Sequence, residues 1–163
     1  MVGALVEEVA RERTAGNGPW INTTEDGVPI LTVSETQPTV QVTLDHAPDA
    51  ALTSAWSAVP LPSNAAPSEG ADGFLALWQP STDRMWEFWQ LNHQEDGWHA
   101  SWGGAILDVS TDPGVYGSGA WPGAKPWWGA TASSLALVGG AMTIEELSDG
   151  PSYDFSRDGG RAR

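Results

Sequence analysis

In Met85-Trp-Glu-Phe-Trp-Gln-Leu91 an acid stands between two indoles. Alternate side chains of an extended chain share a face, so Trp86 and Phe88 point one way and Met85, Glu87, Trp89 and Leu91 the other. The Trp86 and Phe88 set is the more uniformly apolar and is expected to face the core, which leaves Glu87 beside Trp89 on an open sheet surface. That pairing suits a sugar, because the C–H faces of a pyranose stack on an indole while a carboxylate accepts its hydroxyl hydrogens. Indoles equally fill cores, so the pairing is a candidate rather than a signature. In Trp98-His-Ala-Ser-Trp102 the same arithmetic groups Trp98, Ala100 and Trp102 and leaves His99 with Ser101. A histidine and a carboxylate on one face could act as general acid and base, which makes Glu87 and His99 the weak catalytic candidates. A lone surface histidine beside a serine is the plainer reading. Asp72 completes a candidate ligand-binding set with Trp89, Glu87, Trp98 and Trp102.

Other chemistries find little to work with. There is no cysteine, hence no thiolate zinc site, iron–sulfur cluster or cysteine nucleophile. No His-x-His pair or HExxH is present, and Asp108-Val-Ser-Thr-Asp112 lacks the ligand rhythm of an EF-hand, so no metal or cofactor is expected. Gly117-Ser-Gly119 is too short for a nucleophile elbow, and Gly103-Gly104 and Gly139-Gly140 lack the strand, lysine and helix of a phosphate cradle. A glycosidase would need two carboxylates roughly 5 to 10 Å apart, for which Glu87, Asp72 and Asp108 are available without any fixed distance.

Charge narrows the partners. Seven Lys and Arg face 21 Asp and Glu, a formal net charge of −14, and between Thr14 and Ser156 the only bases are Arg84 and Lys125. Nucleic acid and anionic membrane surfaces both require a basic footprint, so both are disfavoured. A neutral glycan or a protein partner is compatible with such a field. No run approaches the roughly 18 apolar residues of a membrane span, and the first residues lack the pattern of a signal peptide.

The 163 residues, 40% hydrophobic with 19 Gly and 12 Pro, amount to one domain. Val2 to Arg13 sets Leu5, Val6 and Val9 on one helical face, and Thr14 to Pro19 breaks it, so residues 1–19 read as an N-terminal helix and linker. From Val28 the period becomes two. Val28–Val33, Thr39–Leu44, Phe74–Gln79 and Met85–Leu91 read as strands, the last two joined as a hairpin through Pro80–Arg84. Trp98–Trp102, Ala105–Val109 and Ser134–Val138 read as further short strands. Ala47–Pro62 carries Leu52 and Trp56 at helical spacing, and Thr143–Leu147 carries the cap and first-turn acids of a short helix. The expected fold is all-β, a β-sandwich or jelly roll over residues 20–150 with a short N-terminal helix and one or two peripheral helices. Residues 151–163 are expected to form a disordered tail.

The blocks Asp72-Gly-Phe-Leu-Ala-Leu-Trp-Gln-Pro80, Met85-Trp-Glu-Phe-Trp89, Asp96-Gly-Trp-His-Ala-Ser-Trp-Gly-Gly104, Trp128-Gly-Ala-Thr-Ala-Ser-Ser-Leu135 and Thr143-Ile-Glu-Glu-Leu147 stand in that order. Over roughly Trp20 to Gly150 the chain resembles a family of uncharacterised bacterial secreted proteins common in actinobacteria. The resemblance implies a single β-sandwich and an extracellular location, and brings no activity with it. Two departures stand out. Members of the family tend to carry a histidine two residues after the Asp72 position, where this chain has Phe74, and a final strand with a His-Ala-Leu signature, where this chain has the polar run Pro151–Arg163. Without that strand a sheet edge is expected to stay open and could recruit another chain.

Together these readings describe an extracellular carbohydrate-interacting domain, with a glycoside hydrolase or lyase as the second reading and a structural or protein-interaction domain as the third.

Overall fold

The structure, a computed structural model, describes residues 2–16 and 27–140. Among these it is mostly β, with strands β1 (Ile30–Thr32), β2 (Val42–Leu44), β3 (Leu75–Gln79), β4 (Arg84–Trp89), β5 (Asn92–Gln94), β6 (Gly97–Ala100) and β7 (Trp102–Ile106). Two helices accompany them, α1 (Val2–Ala15) and α2 (Ala50–Ala55). One sheet runs β1-β3-β4-β7 and the other β2-β6-β5. The pairs β1·β3 and β2·β6 are parallel and the rest antiparallel, a departure from the purely antiparallel pairing of a jelly roll.

The expected hairpin is present. Leu75 to Gln79 pair with Phe88 to Arg84, and a 3₁₀ turn at Pro80–Thr82 reverses the chain through Asp83, whose φ of 55° lies in the left-handed region that Asp tolerates. Asp83 is held there because its carboxylate accepts the Ser110 N–H at 3.2 Å.

A longer structure passes from one sheet to the other. β4 and β7 pair from Met85 with Ile106 to Trp89 with Trp102, and β5 and β6 pair from Asn92 with His99 to Gln94 with Gly97. The two ladders form one bent hairpin, kinked on one side at Gln90 (φ 56°) and on the other at Ser101. The Ser101 N–H donates to the Trp89 carbonyl at 3.0 Å, and Gln90 and Leu91 donate to the Asp72 and Gly73 carbonyls at 2.7 and 3.1 Å. Corners of this kind let a strand serve two sheets. They also break the alternation expected along Trp98–Trp102: Trp98 and Ala100 belong to the three-stranded sheet, Trp102 to the other.

Both sheets feed one core. Trp56, at the end of α2, lies 5.0 Å from Phe88 between ring centroids, the Trp86 indole donates to the Ala55 carbonyl at 3.1 Å, and Val42, Trp98 and Ala100 join from the smaller sheet. α2 starts where it does because one oxygen of Asp49 accepts the Ala51 and Leu52 N–H groups, each at 3.0 Å. The other oxygen accepts the indole N–H of fully buried Trp128 at 3.1 Å, tying residues near 128 to the helix.

Other expectations shift. The run read as a strand over 105–109 ends at Ile106 as part of β7, and Ser134–Val138 contributes an isolated bridge between Val115 and Leu135 followed by a 3₁₀ turn at Leu137–Gly140. β5 forms over Asn92–Gln94, between the runs Met85–Leu91 and Trp98–Trp102, where no strand is expected. The N-terminal helix forms and is largely exposed, with Val6 61% accessible and an Arg11–Glu8 ion pair on its surface. The linker from Asn17, the short helix at 143–147, the replaced final strand and the tail all lie outside the described residues.

Candidate functional site

The structure separates the residues that sequence spacing groups together. Glu87 is fully buried and does not lie on an open face. The chain over 110–140 covers the sheet at this point. One carboxylate oxygen accepts the Ala130 N–H at 2.8 Å and the other the Leu137 N–H at 2.7 Å. Burial pushes the Glu87 carboxyl above the ordinary glutamate range, against the two N–H donors and the nearby Tyr116 hydroxyl. Both oxygens are thus spent on the fold, and no ligand reaches them. Tyr116 is buried beside it, its phenol pushed well above the usual value by burial and by the Glu87 and Asp112 charges. Its hydroxyl lies close enough to feel Glu87 yet meets no partner at hydrogen-bonding geometry. Because that hydroxyl is desolvated without a bond, Tyr116→Phe should leave stability unchanged or raise it by up to about 1 kcal/mol in urea unfolding. A loss beyond about 1 kcal/mol would show that the hydroxyl is bonded.

Trp89 and Trp102 face each other across β4 and β7 at the corner, both half-buried. The Trp89 indole donates to Asp72 at 2.9 Å and the Trp102 indole to the Trp127 carbonyl at 3.1 Å. Of the expected set, Asp72, Trp89 and Trp102 are therefore joined in the corner, while Glu87 lies beneath the covering loop.

His99 is 8% exposed, on the outer face of the smaller sheet, between Thr43 on β2 and Asn92 on β5. Its Nδ1 lies 2.9 Å from Asp45 and its Nε2 3.0 Å from Asp96. Both ring nitrogens are occupied, so His99 is not a free general base, and it shares no site with Glu87. The hydrogen bond to Asp45, followed by the charge of Asp45 and the bond and charge of Asp96, raises its pKa above the ordinary histidine value, with burial opposing.

Trp98 points to the opposite face and meets a groove of about 630 Å³, lined by Gln37, Pro38, Val40, Gln41, Leu61, Ser63, His93, Asp96, Gly97 and Trp98. Leu61 and Trp98, 2% and 9% exposed, form its floor. His93 stands edge-on to the Trp98 ring at 4.9 Å, because the two are register partners of β5 and β6. The walls carry two amides, a hydroxyl, an imidazole and one carboxylate, with neither Lys nor Arg. Only Trp98 among these belonged to the expected set. Gln37, Gln41, Leu61 and Ser63 lie outside the strands, where no periodic signal marks them.

Among the described residues, no group of three or more His, Asp or Glu is placed to hold a metal ion, and no helix is long and apolar enough to cross a membrane. Compared with protein-family models, curated proteins and solved structures, the chain matches none.

Proposed function

We propose that the chain binds a neutral glycan in the groove floored by Trp98 and Leu61, with Gln37, Gln41, Ser63, His93 and Asp96 supplying hydrogen bonds. The observation that carries this reading is a concave site whose polar groups are amide, hydroxyl, imidazole and carboxylate without a cation. Its volume falls within the roughly 300 to 1,000 Å³ of small-ligand sites, whose usual lining is an apolar floor with a few polar groups. Sugar hydroxyls both donate and accept and so match such walls, whereas a phosphate, sulfate or uronate would meet the Asp96 carboxylate and find no Lys or Arg in the lining. The net charge of −14 acts in the same direction. An extracellular setting and membership of the secreted family it resembles fit this use, as does a reading of the two sheets as layers of a sandwich joined at the Gln90 and Ser101 corner.

A protein-interaction reading has one observation in its favour, the exposure of Trp127, Leu135 and Val115 at 62%, 51% and 45%. Native affinity electrophoresis decides between the two. Gels containing galactomannan, laminarin or hydroxyethylcellulose should retard the chain for at least one polymer, and alginate should not. The exposed pair Gln41→Ala and Asp96→Ala together should weaken retention at least about tenfold, since each removes a hydrogen bond worth on the order of 1 kcal/mol. Trp127→Ala should leave it unchanged. Retention that survives the groove pair and is lost with Trp127→Ala would overturn the assignment.

A further inference from the structure

We propose that His99 is a proton-dependent positioner of the groove carboxylate: protonated, it holds Asp96 in the groove wall, and on losing its proton it lets Asp96 go, weakening the groove's hold on its ligand. This rests on the reading of the groove as a glycan site. Asp96 lines the groove and also accepts from His99 Nε2 at 3.0 Å, so one side chain belongs to both structures.

The chemistry follows from counting protons. An ionised carboxylate only accepts, and His99 faces one at each nitrogen, Asp45 at 2.9 Å and Asp96 at 3.0 Å. Only the imidazolium, with two N–H groups, satisfies both. A neutral ring keeps one N–H and turns a lone pair toward the other carboxylate. Asp45 is the partner that keeps its bond, because its side chain is 38% exposed against 76% for Asp96, and the more exposed group gains more from turning to water. Asp96, in the turn between β5 and β6, is then free to leave the wall.

The groups packed around His99 leave its titration to these two acids. Thr43 faces it from β2 and Asn92 from β5, both uncharged, and Asp45 and Asp96 are the charges acting on it. His46, next to Asp45 in the chain, turns instead to Trp102, 6.5 Å away between ring centroids. The raised pKa of His99 sets the sign. The stability that protonation adds, carried chiefly by the bond to Asp96, is fully present below the ordinary histidine pKa and is lost as pH rises through the folded value. His93 also lines the groove and carries a second imidazole, so the test removes it.

In the full chain carrying His93→Gln, NMR should show the Asp96 side-chain carboxyl carbon and the His99 ring responding with one shared midpoint above the ordinary histidine value. Asp45→Asn should move that midpoint down, and His99→Gln should abolish the Asp96 response there. Affinity for whichever of cellohexaose, laminarihexaose and mannohexaose the chain binds should fall about tenfold across the midpoint, the loss of roughly one charge-assisted hydrogen bond. An Asp96 signal that ignores His99, or affinity flat across the midpoint, overturns the positioning while leaving the groove reading intact. Absence of binding to all three sugars at every pH counts against the groove reading, and the NMR titration without sugar still decides whether His99 controls Asp96.

Discussion

Glu87→Ala is expected to lower the unfolding free energy by about 2 to 4 kcal/mol, since it leaves the buried Ala130 N–H without an acceptor at roughly 1 to 3 kcal/mol and the half-buried Leu137 N–H without one at a smaller cost. Domains of this size have only about 5 to 15 kcal/mol to lose, so the melting temperature should drop by on the order of 10 °C, or the protein should fail to fold. Both donors belong to the segment that covers the sheet, and the first sign of the loss should be fast amide exchange at Ala130 and Leu137. Glu87→Gln keeps one acceptor and should cost less than alanine. The pH dependence separates the two states of the carboxyl. Burial raises its folded pKa, so the stability it contributes is fully present below the ordinary glutamate value and falls as pH rises through the raised one. Glu87→Gln, which cannot ionise, should flatten that slope. A variant with wild-type stability and wild-type exchange at both amides would show that the carboxylate does not clamp the segment.

Gly103→Ala should be as severe for a different reason. A Cβ at this position would sit 2.0 Å from the Glu87 carbonyl oxygen and 2.8 Å from the Trp56 ring. The first obstacle is backbone of the paired strand, so relief requires β4 and β7 to separate, beyond the roughly 1 to 3 kcal/mol of ordinary overpacking. At Gly104 the Cβ would meet the end of the Tyr116 ring at 2.3 Å, a side chain that can turn, so Gly104→Ala should cost less. Gly117 has nothing within 4 Å of its Cβ position, and Gly117→Ala should be close to neutral. Urea midpoints in the order 117, 104, 103 from most to least stable are expected, and equal midpoints for Gly103→Ala and Gly117→Ala would contradict the strand pairing itself.

The sequence was most readable where a local rule acted alone. The Pro80–Arg84 turn, the alternation of β3 and β4, and the Leu52 and Trp56 spacing of α2 all appear as their patterns imply, because each is decided by neighbours within a few residues. The misplacement of Glu87 shows where that reasoning ends. Alternation correctly puts Glu87 on the face away from Trp86 and Phe88, yet whether that face is open depends on a chain segment 43 and 50 residues distant that brings the Ala130 and Leu137 N–H groups over it. The alternation also fails after Ala100, since nothing in Ala-Ser-Trp announces a kink; Gln90 N–H finding the Asp72 carbonyl is a tertiary event. The groove was legible only through Trp98, because Gln37, Leu61 and Ser63 lie in irregular chain and are brought together by the pairing of β2 with β6.

The indole N–H signals of the tryptophans, followed by NMR while neutral hexasaccharides are added, offer a direct view of the groove. Trp98 should move in proportion to occupancy with at least one sugar, together with the side-chain amide of Gln41, while Trp127, Trp56 and Trp128 stay in place. Movement of Trp127 or Trp102 with Trp98 and Gln41 unmoved would place binding elsewhere, and no movement with any sugar at millimolar concentration would contradict a glycan site in this groove.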